Sequence, residues 1–340
     1  MYGRERLGHT WVFLAGWSFV IGKIASCAAM ALTFAAYVAP AGWERPVAVA
    51  AVVVLAGVNL LGITRTALVT RVLAVFVLAV LVVVITAGVT TGEPAHAVTD
   101  GLVAQGWYGI LQSGGLLFFA FAGYARVATM GEEVVNPSLT IPVAITIALA
   151  IVVIVYAAIA ITVLTVLGAD AVAANPAPLG AVVEASAIGW AHPLVRVGAA
   201  AASLGALLAL IAGIGRTILA MARERDLPSW LSVVNARFSV PHRAEIAVAV
   251  IVCSLVTTVD LRGAIGFSSF GVLLYYFIAN SAALTQSRAA RRYPRFIAVT
   301  GAIGCLVLVV TLPIVSILVG LVVVALGVAY RTIAKRSITP

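Results

Sequence analysis

The sequence predicts an all-α polytopic membrane protein with ten transmembrane helices. Apolar runs of 17 or more residues recur along the chain, and a ~30 Å hydrocarbon core needs about 20 such residues per helix. Only 10% of the residues are charged, 63% are hydrophobic and the mean hydropathy is +1.15, whereas about a quarter of an ordinary globular sequence is charged. The lysines and arginines also fall on one side of the spans, 17 against three, with Lys23 left inside a span.

The spans are 11–38, 46–63, 69–90, 108–128, 139–168, 194–220, 243–260, 263–285, 296–312 and 314–331. The basic side includes Arg4, Arg65, Arg126, Arg216, Arg237, Arg291 and Arg331; the opposite side has only Arg45, Arg196 and Arg262. Excess Lys and Arg marks cytoplasmic loops. Both termini are therefore expected in the cytoplasm of a protein in the plasma membrane. An even number of spans agrees with this. The net charge of +9 sits in short loops beside the bilayer, which gives no reason to expect nucleic acid. Cys27, Cys253 and Cys305 lie in apolar segments and read as free thiols. Of the connections, 169–193 is long enough for a short surface helix around 179–188, 221–243 is the largest inside loop, and spans nine and ten turn at Leu312-Pro313.

Span four leads into the stretch that stands apart, residues 114–137. The apolar run Leu116 to Phe121 meets Gly123, Arg126 follows at membrane depth, and Glu132, Glu133 and Asn136-Pro137 close it. Irregular backbone at that depth is tolerated where it lines a cavity or a binding site. Taken alone, Gly123 also suits close helix packing. Arg126, Glu132 and Glu133 fit a solvated interface with local ion pairs; the sharper reading is a cytoplasmic gate. Tyr275 and Tyr276 lie deep in span eight, where core packing is the default and lining the path the alternative.

Lys23 lies about twelve residues from either end of its span, ~18 Å from water along the axis. That is too deep to snorkel. A charged lysine facing lipid costs at least ~2.5–3.5 kcal/mol, so Lys23 is expected to face the bundle interior. Nothing supports an enzyme: the spans hold no paired carboxylates, no histidine cluster and no phosphate loop, and no metal or cofactor is expected. Rings of polar residues along a pore are lacking, which disfavours a channel.

Five motifs occur in order. They are Phe119-Ala120-Phe121-Ala122-Gly123 through Asn136-Pro137; residues 215–228, GRTILAMARERDLP; Val240-Pro241-His242-Arg243-Ala244; Leu274-Tyr275-Tyr276 with Ala279-Asn280; and Tyr2-Gly3-Arg4 through Gly16-Trp17. Together they resemble the amino acid–polyamine–organocation permeases over the whole chain. The resemblance implies a fold of two five-helix inverted repeats with two helices behind. The first span matches the family's third helix. Residues 1–107 then correspond to a remnant of the first repeat, 108–285 to the complete second repeat and 286–340 to the two additional helices.

The resemblance also implies where substrate lies, between the broken first helices of the two repeats. Gly123 matches the unwound point, Phe119 the gating aromatic, and Ala120 and Ala122 pocket-lining positions beside Phe121. Three partners remain for Lys23: a group on helices this chain lacks, carbonyls of a broken helix, or the substrate's carboxylate. The implied activity is secondary active transport of an amino acid or related amine by alternating access, with a co-transported proton or an exchanged amino acid as candidate partner and proton, sodium and exchange coupling equally open. Lys23 and Arg126, with no acid in the visible pocket, lean toward neutral or acidic amino acids. The alternative is a truncated, non-transporting remnant or accessory subunit, because half of the substrate site is missing from the sequence; a misassigned start at Met1 would give the same appearance.

Overall fold

The computed structural model describes residues 8–62, 67–91, 96–97, 106–123, 134–287, 291 and 293–336. Among these residues the chain forms eleven α-helices, two short 3-10 turns and no strand. The helices are α1 (His9–Val38), α2 (Glu44–Leu60), α3 (Ala67–Thr90), α4 (Gly106–Phe121), α5 (Pro137–Ala174), α6 (Pro178–Glu184), α7 (His192–Arg223), α8 (His242–Thr258), α9 (Leu261–Leu284), α10 (Arg295–Thr311) and α11 (Ile314–Arg336). All but α6 coincide with a predicted span. Six stretches, containing α1, α3, α5, α7, α9 and α11, are long and apolar enough to cross a membrane, so this is a multi-pass membrane protein.

Two boundaries differ from the sequence reading in informative ways. α5 was expected to end at Gly168 but continues to Ala174 through a kink there, with φ 75° and ψ 162°. The ring of His96 lies against that glycine, where a Cβ would approach it to 3.0 Å, so conformation and space both call for glycine. α6 falls where a surface helix was expected, yet Val182 and Val183 are fully buried against Tyr37, Val80, Val84 and Val195. A helix of seven residues has little stability alone, and packing its apolar face holds it. The hairpin at Leu312-Pro313 lies between α10 and α11 as read.

α1 is the central helix, touching α2, α7, α8, α9 and α11. Its sequence explains why. Ala25, Ser26, Cys27, Ala28, Ala29 and Ala31 are all buried, and small residues let neighbouring backbones come close where no hydrophobic effect drives helices together. The closest approach is to α9. A Cβ on Gly271 would stand 2.7 Å from the Ser18 carbonyl oxygen and 2.8 Å from the Cα of Gly22. Only a glycine pair permits this crossing. α11 is fastened to α1 by the Trp17 indole, which donates to the Val323 carbonyl at 3.0 Å.

Charged groups fix the ends. The Arg331 guanidinium donates to Asp226 Oδ1 at 2.9 Å in a buried pair and lies 4.9 Å from the Phe13 ring centroid, joining α11, α1 and the segment after α7. Two of the three arginines on the sparsely basic side cap helix C-termini, which carry unpaired carbonyls and partial negative charge. Arg196 donates to Tyr37 and Val38 carbonyls at 2.7 and 3.1 Å. Arg45 donates to the Thr257 carbonyl at 2.6 Å. These departures from the basic bias thus have local structural work.

Candidate functional site

The candidate site is the end of α4 and what surrounds it. α4 stops at Phe121 and its last turn tightens, the Ala122 N–H reaching the Phe119 carbonyl at 3.4 Å. The last carbonyls of a helix have no partner within it, and here two are received by side chains from other helices. The Tyr156 hydroxyl of α5 donates to the Ala120 carbonyl at 3.2 Å. The Lys23 ammonium of α1 donates to the Ala122 carbonyl at 3.2 Å. Of the three partners left open for Lys23 by the sequence, a backbone carbonyl is met among the described residues, the one just past the end of α4.

Lys23 stands 14 residues from His9 and 15 from Val38, ~21 Å from either end of α1. It is 8% exposed and Ala122 3%. Among the described residues no carboxylate lies within ion-pair distance of Lys23. The neighbouring Gly22–Gly271 crossing holds its helix against α9, and the Ser26 hydroxyl meets that of Ser268 at 2.7 Å. Lys23 is thus placed by backbone packing on one side and bonded to a carbonyl on the other. Its remaining ammonium protons can serve an anion, because an ammonium has three donors and no acceptor.

Aromatic rings connect the same three helices. Phe19 of α1 packs edge-on to Tyr275 of α9 at 5.6 Å between centroids, Tyr275 contacts Tyr276 at 5.1 Å, and Tyr276 contacts Phe118 of α4 at 5.5 Å. Phe121 and Tyr156 pack at 5.2 Å. Such pairs hold ring orientation beyond what burial alone gives. The two tyrosines picked from the sequence therefore link α1 to α4, which the one-dimensional reading could not show.

Phe119 is half-buried against the apolar cluster shared by α1, α7 and α8. Ala120 and Gly123 are exposed. Among the described residues a Cβ on Gly123 would meet no atom within 4 Å, so no described helix packs closely on this glycine. Lys23 and Tyr156 close the other side of the α4 end by their bonds to the Ala122 and Ala120 carbonyls. Arg126, Glu132 and Glu133, and the half-helix expected after the break, lie outside the described residues.

Residues 1–337 match the family described as amino acid permease. The chain belongs to that family. An uncharacterized transporter of Mycobacterium tuberculosis is 52% identical over 342 residues, a match covering 99% of this chain and 77% of the relative. A vacuolar protein of Arabidopsis thaliana named cationic amino acid transporter 2 is 29% identical over 189 residues, 56% of this chain and 30% of the relative. A mitochondrial one named cationic amino acid transporter 3 is 29% identical over 186 residues, covering 55% and 30%.

The permease holds two groups, one at the end of α4 and one at the α1–α9 crossing, that sequence reasoning passed over. Tyr156 lies in the apolar run Ile147 to Ile161, where its single hydroxyl was the only signal. Ser26 and Ser268 look like ordinary small interface residues until the α1–α9 crossing brings them together.

Proposed function

We propose that this permease moves an amino acid across the plasma membrane by alternating access, with substrate held at the open edge of the α4 break between Phe119 and Gly123 and opposite Lys23. One observation carries the reading: a mid-membrane ammonium donates to the Ala122 carbonyl at the point where a helix stops. An intramembrane charge on a freed backbone group is expensive and calls for a function. The match to an amino acid permease family over almost the whole chain supports amino acids as the cargo.

The finer features go with this reading. The ten helices other than α6 act as ten spans with both termini in the cytoplasm, residues 108–285 forming the second inverted repeat and 1–107 the part of the first present in this chain. Phe119 gates the pocket and Ala120, Phe121 and Ala122 line it. Tyr275 and Tyr276 couple α1 and α9 to the break. Arg126, Glu132 and Glu133 belong to a cytoplasmic gate. A proton or a second amino acid is the coupled partner.

Lys23 brings positive charge to the pocket, which favours a neutral or acidic side chain on the substrate. The names of the plant relatives support a second reading, a cationic amino acid. Uptake of labelled leucine, glutamate and lysine into proteoliposomes separates them. Leucine or glutamate uptake at rates well above lysine is the expected result. Preferred lysine uptake overturns the charge argument, and no uptake of any amino acid overturns the transport reading.

A further inference from the structure

α1 has a second face with a different neighbour. At ~100° per residue, Phe19, Gly22, Lys23 and Ser26 fall on one side and Trp17, Ile21 and Ile24 on the other. The latter side is the floor of a cavity of about 800 Å3. Ile251 and Leu255 of α8 form one wall, and Val319 and Val323 of α11 the other. Trp230 and Leu231 stand at one end, and Asp260 and Arg262 at the junction of α8 and α9 mark the opposite end. Along α8 the lining runs from Ala247 to Val259, ~18 Å at 1.5 Å per residue. One leaflet of a ~30 Å core is ~15 Å deep.

The charges at the mouth are uneven. Asp260 directs Oδ1 to the Gly263 N–H at 2.9 Å as the N-cap of α9. Arg45 and Arg196 are bonded to helix-terminal carbonyls. Arg262, the third arginine of the sparsely basic side, is exposed and makes no such bond among the described residues. A soluble anion would find this charge but not a use for aliphatic walls, and a neutral apolar molecule would find the walls but leave the arginine without a counter-ion.

We infer that the groove binds one anionic phospholipid, an acyl chain lying on α1 between α8 and α11 and the phosphate at Arg262. Chain length, aliphatic lining and a single cation at one end together select this class. The bound chain rests on the back of the helix that carries Lys23, so the lipid and the α4 break share one support.

Native mass spectrometry of the full-length protein in detergent tests this, with phosphatidylglycerol and phosphatidylcholine of identical acyl chains as probes. The expected result is one retained phosphatidylglycerol, preferred about fivefold over phosphatidylcholine, the scale of one arginine facing an anionic lipid. Arg262→Gln removes that preference without touching the packing. Val319→Trp fills the groove and abolishes retention of both lipids. Val250→Trp, on a face of α8 that is 60% exposed and outside the groove, leaves retention unchanged. Excess inorganic phosphate does not displace the lipid. Equal retention of the two lipids, undiminished preference in Arg262→Gln, displacement by phosphate, or equal behaviour of the two tryptophan variants overturns the assignment.

Discussion

Replacing Lys23 by methionine removes the ammonium and keeps an unbranched apolar side chain that fills similar space. Two energies then oppose one another. The lost bond from a charged donor to the Ala122 carbonyl (3.2 Å) contributes about 1.5–3 kcal/mol. Relief of a buried mid-membrane cation returns about 2.5–3.5 kcal/mol on the insertion scale. Fold stability is therefore expected to stay level or rise. Transport is expected to move the other way. The carbonyl edge loses the group that fixes it, and about 1.5–3 kcal/mol at about 1.4 kcal/mol per tenfold lowers uptake efficiency about 10- to 150-fold. Initial rates of labelled amino acid uptake into proteoliposomes, measured beside thermal melting of the same preparations, read both quantities. Wild-type uptake by the variant refutes the role given to Lys23. A parallel fall in Tm and uptake shows a merely structural lysine.

Four other substitutions probe the remaining joints. Gly123→Ala has open space and no left-handed φ to accommodate, so Tm should hold or rise, while the added helix propensity of about 1 kcal/mol favours continuing α4 and lowers uptake; a drop in Tm would restore the packing reading of this glycine. Tyr156→Phe removes the donor to the Ala120 carbonyl, worth about 0.5–1.5 kcal/mol, and uptake should fall about 2- to 10-fold; unchanged kinetics would leave Tyr156 no part in the site. Asp226→Asn leaves the buried Arg331 guanidinium without its counter-charge and should destabilise by about 3–5 kcal/mol, with much of the loss recovered in the Asp226→Leu/Arg331→Met double variant; a melt that shows no such rescue counts against the ion pair as the cause. Gly271→Ala forces a Cβ to within 2.7 Å of the Ser18 carbonyl oxygen, an overpacking cost of about 1–3 kcal/mol visible as a lower Tm; an unshifted Tm would mean that α1 and α9 are not so tightly crossed.

What the sequence by itself determined was everything with a local physical cause. Apolar runs fix where a membrane helix can lie, and eight of the ten spans began and ended within five residues of an observed helix; span four was drawn to 128 whereas α4 ends at Phe121, and α5 runs on past Gly168 to Ala174. The same logic set Lys23 at mid-depth, because depth is a count of residues at 1.5 Å each. It also set the unwound point at Gly123, two residues past the observed end of α4 at Phe121. Only the tertiary structure could decide what meets what. The ammonium of Lys23 and the carbonyl of Ala122 are 99 residues apart, and no periodicity relates them. Tyr156 reads as one more apolar-helix residue until α5 folds back on the end of α4. Arg45 and Arg196 read as exceptions to a charge bias until each is seen on a helix terminus. A span is written in consecutive residues, so composition reveals it; a site in a membrane bundle is assembled from facing sides of different helices, and those sides are chosen by backbone approach at small residues such as Gly22 and Gly271.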